Sequence, residues 1–386
     1  MSDPATQRPA ADPGRPSFDR RDLGLGLFGL AAGVAVAAPS RAIGAIGAAG
    51  ASSESAPAPA FPGPSYLRTP EGLRMAVYEA GSGGVPVVLS HGFPELAYSW
   101  RHQLPVLAEA GFWAIAPDQR GYGNTQQPLA IEAYDITKLC GDLVAVLDDR
   151  GIDKAYFCGH DWGGGVVWMM PRLHPDRVRG IIGVNTPSSP PPPSAPIAML
   201  RALRGESNYV VSFQEPYRAE QVLEEDVFKT FSMFMRKGVV DPEAIAALPE
   251  DSPMRNFDLL TMLKSIPDAS MIPGESILDE GEMAVFVDTY RRTGFTGGVN
   301  WYRNIDRNWE LTRQLDHRIG PEIPCLYVGA EDDAVLPPSS ADGMENFIAD
   351  LEKVTIADCG HWTQQEKPAE LNAILLDWLG RKSKTA

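Results

Sequence analysis

Cysteine is scarce in this sequence and poorly spaced for chemistry. Its 386 residues hold four, Cys140, Cys158, Cys325 and Cys359, with no Cys-x-x-Cys pair. This excludes a disulfide-stapled scaffold and the common zinc motifs. Two of the four fall in or beside predicted strands, so they read as buried free thiols. Positive charge is short as well. Lys and Arg number 34 against 50 Asp and Glu, a net charge of −16. That balance argues against nucleic acid or an anionic membrane as partner. No apolar run is long enough to cross a bilayer. Leu23 to Ala38 covers 16 residues, where a spanning helix needs about 20.

What surrounds that run is more informative. Arg20-Arg21 precede it, and Ser40-Arg41-Ala42 close it. Paired arginines, a modest apolar stretch and a small-residue site resemble a bacterial twin-arginine export signal. Residues 1–42 are therefore expected to direct export to the periplasm or beyond, with no stable membrane insertion after processing. An uncleaved anchor or a plain tail, leaving the protein in the cytoplasm, is the alternative. Residues 43–64 are rich in Ala, Gly, Ser and Pro and read as a linker.

From residue 65 the grammar is α/β. Strand-like runs lie at Leu73–Glu79, Val85–Ser90, Trp113–Pro117, Ala155–Cys158 and Val178–Val184. Helical segments at about Trp100–Ala110 and Ile136–Arg150 separate them. This alternation predicts a mostly parallel, doubly wound sheet with helices on both faces. At Ser188 the pattern breaks into Ser-Ser-Pro-Pro-Pro-Pro, which continues neither a strand nor a helix. Residues 188–320 then read as a helical, aromatic lid, with Val227, Phe228, Phe231, Phe234 and Met235 at helical spacing and expected to form the lid's own core. The α/β grammar returns over 321–386, with strands at Cys325–Gly329 and Lys353–Ile356 and a last helix near Ala369–Leu379. The core thus comprises 65–187 and 321–386, interrupted by the lid.

Gly159-His160-Asp161-Trp162-Gly163 joins an apolar run to an apolar helical segment. Small residues two before and two after the centre are what a sharp strand-to-helix turn requires, since side chains there collide with backbone. Such an elbow usually presents a Ser nucleophile, and this one holds Asp161. A carboxylate nucleophile favours attack on a saturated carbon bearing a leaving group over attack on a carbonyl. A helix N-cap is the bland alternative for Asp161. Downstream, Asp333 and His361 each follow a predicted strand, giving the order nucleophile, acid, histidine. Glu331 and Asp332 are rival carboxylates. Asp333 as a helix cap and His361 as a structural loop residue are the corresponding bland readings. His91-Gly92-Phe93-Pro94 fits a loop whose Phe93 N–H, with that of Trp162, holds an oxyanion.

These stretches, with Tyr98-Ser99-Trp100-Arg101, Phe213-Gln214-Glu215-Pro216, Asn300-Trp301-Tyr302-Arg303-Asn304 and Asp358-Cys359-Gly360-His361-Trp362, resemble the epoxide hydrolases of the α/β-hydrolase fold, especially the hydrolase domain of the soluble enzymes. The resemblance runs from about residue 85 to the last helix. It implies that two lid tyrosines hold the epoxide oxygen, that Phe93-Pro94 is cis, and that neither metal nor cofactor takes part. Tyr302 fits one tyrosine directly. Tyr209 fits the other, although Val210 follows it where Gln is usual, and Tyr217 is a rival. A neutral phenol, with a reference pKa near ~10, suits an oxygen that becomes an alkoxide, and such acid catalysis contributes roughly 10²–10⁴-fold. The expected substrates are an epoxide and water, and the product a vicinal diol. Two other readings compete: a haloalkane or haloacid dehalogenase using the same Asp, and a non-catalytic ligand-binding protein of this fold.

Overall fold

The structure, a computed structural model, describes residues 61–237, 247–249 and 252–384. The segment 1–42 and most of the linker lie outside the described residues. Eight strands form one sheet: β1 (Ser65–Arg68), β2 (Arg74–Ala80), β3 (Val85–Ser90), β4 (Phe112–Pro117), β5 (Ala155–His160), β6 (Val178–Val184), β7 (Cys325–Ala330) and β8 (Leu351–Ile356). Their spatial order is β1-β2-β4-β3-β5-β6-β7-β8. β1 and β2 run antiparallel to their neighbours, and every other pairing is parallel.

Alternation along the central strands divides the core in two. Val88, Ile115, Phe157 and Ile181 face one side, which α2 (Ile136–Asp149) and α3 (Trp162–Leu173) cover. Val87, Ala114, Cys158 and Ile182 face the other, with Leu104 and Leu107 of α1 (Leu104–Glu109) and Trp378 of the C-terminal helix (Pro368–Lys382). Successive strand residues point to opposite faces, so a strand buried on both sides must be apolar throughout. All four cysteines are free and buried: Cys158 and Cys325 lie in β5 and β7, Cys140 on the buried face of α2, and Cys359 in the loop after β8. Among the described residues no helix is long and apolar enough to cross a membrane.

The helical insertion leaves the sheet after β6. It comprises α4 (Pro196–Arg204), α5 (Tyr209–Ser212), α6 (Arg218–Leu223), α7 (Val227–Phe234), α8 (Leu259–Ser265), α9 (Glu280–Thr293), α10 (Thr296–Arg303) and α11 (Ile305–Thr312). Val227 and Phe231 of α7, and Met235 just after it, are buried in a core continuous with the α2/α3 side of the sheet, whereas Phe234 is only partly buried and Phe228, on the outer face of the helix, is exposed and does not join that core. β7 and β8 follow, then α12 (Thr363–Glu366) and the C-terminal helix, α13.

Two further expectations need correction. The helix expected over Trp100–Ala110 is a 3-10 turn, Ala97–Trp100, followed by α1 from Leu104. Pro105 lies in its first turn, where a missing N–H breaks no helical bond, so the helix starts here and does not run on from Trp100. β1 was not anticipated, because a four-residue edge strand with only Leu67 buried leaves no alternation to read.

The topology fixes where chemistry can occur. β3 has β4 on one side and β5 on the other, so the order reverses between β3 and β5. A crevice opens at the carboxyl ends of strands at such a switch point. The loop after β3 holds Gly92 and Phe93, and the residue after β5 is Asp161.

Candidate active site

Asp161 stands between β5 and α3 with φ 51° and ψ −122°, a conformation costly for a residue with a Cβ. Its side chain makes no cap hydrogen bond to α3, so the N-cap reading fails. The elbow closes only because its flanks are bare. A Cβ on Gly159 would strike the Gly163 carbonyl, and one on Gly163 the carbonyls of Ser90 and His91. The backbone is fixed from behind: Thr186 Oγ1 donates to the Asp161 carbonyl at 2.8 Å, and Trp168 Nε1 to the Thr186 carbonyl at 2.8 Å.

The carboxylate is held just as closely. Oδ1 accepts the Phe93 N–H at 2.8 Å, and the Trp162 N–H also bonds the carboxylate. The Phe93–Pro94 bond is cis. A Cβ on Gly92 would lie 2.5 Å from Asp161 Oδ1, so glycine lets the oxyanion loop approach. Oδ2 faces His361 Nε2 at 3.8 Å.

His361 and Asp333 come together on the loops after β8 and β7. His361 Nδ1 lies 2.9 Å from Asp333 Oδ2. That carboxylate is saturated: Oδ2 also accepts Asn185 Nδ2 at 2.8 Å, and Oδ1 accepts the N–H groups of Val335 and Leu336 at 2.8 and 2.9 Å. Asp333 therefore organises its own turn as well as orienting the histidine. Glu331 and Asp332 are exposed. Glu366 grips the histidine loop on both sides, accepting from Gly360 N and Trp362 N at 3.0 Å each.

The charges are mutually dependent. Burial raises the Asp161 carboxyl, against the pull of His361, His160 and the two N–H donors. Burial also opposes protonation of His361, but Asp333, Asp161 and Glu95 outweigh it, and the imidazole is pushed up to about 9. Asp333 is held below its ordinary range, its burial more than offset by His361 and its other donors.

Tyr209 on α5 and Tyr302 on α10 are both buried, with ring centroids 5.7 Å apart. Their side chains are hydrogen-bonded to each other, and Tyr302 is also bonded to the Trp162 side chain. Burial raises both phenols, and the Asp161 charge adds to that, so both are neutral OH groups near the Asp161 carboxylate. Phe93 and Phe213 pack against Tyr302 at 5.3 and 5.1 Å. Tyr217 is 70% exposed and caps α6, so it does not join this group. Gln214 Nε2 bonds the Val210 and Tyr302 carbonyls at 2.9 and 3.0 Å, tying the two tyrosine-bearing helices together.

Sequence reasoning assigned no role to Glu95, His160, Asn185 and Gln364. His160 Nδ1 lies 2.8 Å from Glu95 Oε2, and its Nε2 lies 2.7 Å from the His361 carbonyl. Glu95 Oε2 also accepts Gly92 N at 2.9 Å, and Oε1 accepts Gln364 Nε2 at 2.7 Å. Burial raises the Glu95 carboxyl, but His160 and Gly92 overcome this and hold it at about 2. This fully buried pair joins the oxyanion loop to the backbone of the base. The signal was a Glu and a His in the flanks of two recognised motifs, and their contact, 65 residues apart in sequence, is not readable from spacing.

A carboxylate at the nucleophile position of a strand–helix elbow, with an aspartate and a histidine on later strand ends of a doubly wound sheet, defines the α/β-hydrolase class. Residues 85–368 match the family described as alpha/beta hydrolase fold. The chain is 42% identical over 312 residues to epoxide hydrolase A of Mycobacterium tuberculosis, covering 80% of this chain and 94% of that protein. It is 40% identical over 323 residues to bifunctional epoxide hydrolase 2 of Rattus norvegicus, covering 81% of this chain but only 55% of that one. The crystal structure of epoxide hydrolase A from Mycobacterium thermoresistibile superposes with a TM-score of 0.73 at 40% identity, over 82% of this chain and 98% of that one. The chain belongs to the epoxide hydrolases of the α/β-hydrolase family.

The coupling between Asp161 and His361 is directly measurable. Asp161→Asn removes a negative charge that raises the imidazole. NMR titration of His361 in that variant should give a pKa clearly below the wild-type value, with protonation lost at lower pH. An unchanged titration would mean that the two groups are electrostatically independent.

Proposed function

We propose that this epoxide hydrolase works through a covalent ester on Asp161. Oδ2 attacks one epoxide carbon and the carbon–oxygen bond of the ring breaks. Its electron pair goes to the oxygen, which Tyr209 and Tyr302 hydrogen-bond and one of them protonates. The product of this step is a hydroxyalkyl ester whose carbonyl oxygen, Oδ1, rests on the Phe93 and Trp162 N–H groups. With the Asp161 charge cancelled, His361 gives up its resting proton to solvent, to be regained when that charge returns. The neutral imidazole then takes a proton from water, and the resulting hydroxide attacks the carboxyl carbon. The tetrahedral oxyanion is held by the same N–H groups. Collapse breaks the bond from that carbon to the alkyl oxygen, which takes the proton from His361. The remaining proton of the water returns to the tyrosinate, and a vicinal diol leaves.

The observation that carries this reading is the pair of buried phenols beside the elbow: the Tyr302 ring packs 5.1 Å from Trp162 and 5.3 Å from Phe93, with the Tyr209 ring 5.7 Å away, and burial keeps both neutral. Esterification also cancels the Asp161 charge, one of the contributions that keep His361 protonated. The imidazole thus becomes a better base when the intermediate needs one. A dehalogenase would need N–H donors around a leaving halide. The Trp162 indole is engaged with Tyr302, and Phe93 has no side-chain donor. A non-catalytic binding protein would not need Asp161 at a strained φ beside a histidine.

A single turnover in ¹⁸O-water should give diol without label, because its new oxygen comes from Asp161, and label should appear from the second turnover. Label in the first diol would mean direct attack by water. In the same format, Tyr209→Phe and Tyr302→Phe should each slow ester formation, together by roughly 10²–10⁴-fold. An unaltered rate in the double variant would remove the phenols from the reaction.

We further propose export through residues 1–42, supported by Arg20-Arg21 before the Leu23–Ala38 run. Fractionation of cells expressing the full chain should find the shortened protein outside the cytoplasm, and Arg20→Lys with Arg21→Lys should retain it inside. Cytoplasmic wild-type protein of full length would overturn this.

A further inference from the structure

A cavity of about 100 Å³ lies between α3, the proline-rich stretch after β6, and α11. None of the side chains assigned to catalysis lines it. Its volume is well above the ~10–15 Å³ that one water needs. Trp168, Met169, Ile305, Trp309 and Leu315 make its walls largely apolar.

Arg172, on the last turn of α3, also lines it. The guanidinium is poorly served. One terminal nitrogen donates to Ser188 Oγ at 3.0 Å and the His317 carbonyl at 3.3 Å, and the other reaches only Met169 Sδ at 3.4 Å. Its Nε is buried with no hydrogen-bond partner among the described residues. Asp316 acts on it from a distance, and that carboxylate is exposed and forked by Arg318. Burial draws the Arg172 group down to about 10, which leaves it cationic at neutral pH.

Asn308 of α11 lines the same cavity. Its Oδ1 accepts the Ile136 N–H at 2.8 Å, whereas its Nδ2 is buried with no partner among the described residues. Neighbouring donors are satisfied: Trp168 Nε1 by the Thr186 carbonyl, Trp309 Nε1 by the Pro192 carbonyl, and Thr312 Oγ1 by the Asn308 carbonyl. Two unmet polar atoms on residues that line this cavity are therefore N–H donors, and one belongs to a cation without a contacting carboxylate. Leaving such groups unmatched is unfavourable.

We propose that this cavity is a second binding site, for a small organic monocarboxylate. A carboxylate offers only acceptors and matches the guanidinium fork. The apolar walls favour an acid with a compact hydrocarbon body over an inorganic anion. The occupant bridges α3 of the core to α11 of the lid. Only Asn304 separates α11 from α10, the helix that carries Tyr302. The site is thus placed to bear on lid position. It does not depend on which bond Asp161 attacks.

Calorimetric titration of the full chain with cyclohexanecarboxylate tests it. One molecule should bind per chain. The neutral isostere cyclohexanemethanol and inorganic phosphate should each bind roughly tenfold more weakly or worse. Arg172→Met, with its fold checked by circular dichroism, should weaken the acid by roughly 10- to 100-fold. The Tyr209→Phe, Tyr302→Phe double variant, which alters the other buried donors able to attract an acid, should bind it as the wild type does. Any of four results overturns the proposal: no binding at ~10 mM acid, equal binding of the alcohol or of phosphate, wild-type affinity in Arg172→Met, or loss of binding in the tyrosine variant. If Arg172→Met does not fold, the acid-to-alcohol ratio on the wild-type chain still decides.

Discussion

Everything in this molecule is arranged to keep one carboxylate ionised, exposed to substrate and otherwise out of water. Asp161 sits at a positive φ on the end of the central strand. Desolvation raises its pKa, so its charge persists only through specific partners: the Phe93 and Trp162 N–H groups and the imidazolium of His361. Each partner comes from a different element. The loop after β3 brings Phe93, the start of α3 brings Trp162, and the loop after β8 brings His361. The parallel sheet places all three at one edge of the switch-point crevice, which explains why residues so distant in sequence form one site.

The lid supplies what the sheet lacks, neutral O–H groups beside Asp161. These are held from both directions. Trp301 Nε1 donates to the Arg120 carbonyl at 3.0 Å, tying α10 to the core. Trp362 Nε1 donates to the Phe234 carbonyl at 2.6 Å, tying the histidine loop to α7. Within the lid, Arg303 forks the buried Glu220 at 2.7 and 3.0 Å. The phenols are thus set by a framework that packs as one body with the sheet, and burial among Phe93, Phe213 and Trp162 keeps them protonated.

The legible part of the sequence was whatever depends on local grammar. The elbow was readable because glycine flanks and a strand–helix change are local constraints. Asp333 and His361 were readable from their order and their places after strands. After Arg179, Gly180–Val184 reads as an unbroken apolar run because β6 is buried on both faces there. Tyr302 lay in a motif, whereas Tyr209 was separated from Tyr217 only by the structure. The roles of Glu95, His160 and Asn185 could not be read. Their partners are set by strand pairing between distant segments, and a polar residue before or after a motif carries no mark of the contact it makes. The unmatched Arg172 was invisible for the same reason, since a cation's missing partner becomes evident only when its surroundings are known.

The two carboxylate–histidine pairs at this site differ in what they face. His160 is enclosed, with Glu95 at one ring nitrogen and the His361 carbonyl at the other, and none of these partners enters the proposed reaction. His361 has Asp333 on one side and, on the other, a group whose charge disappears on esterification and returns on hydrolysis. The partners of His160 stay the same through the proposed reaction, whereas the His361 proton, held partly by Asp161, is released in it when Asp161 is neutralised. Similar side chains, 4.8 Å apart between ring centroids, therefore suit opposite tasks. His160 fixes the backbone that carries His361, and in the proposed reaction His361 moves the proton.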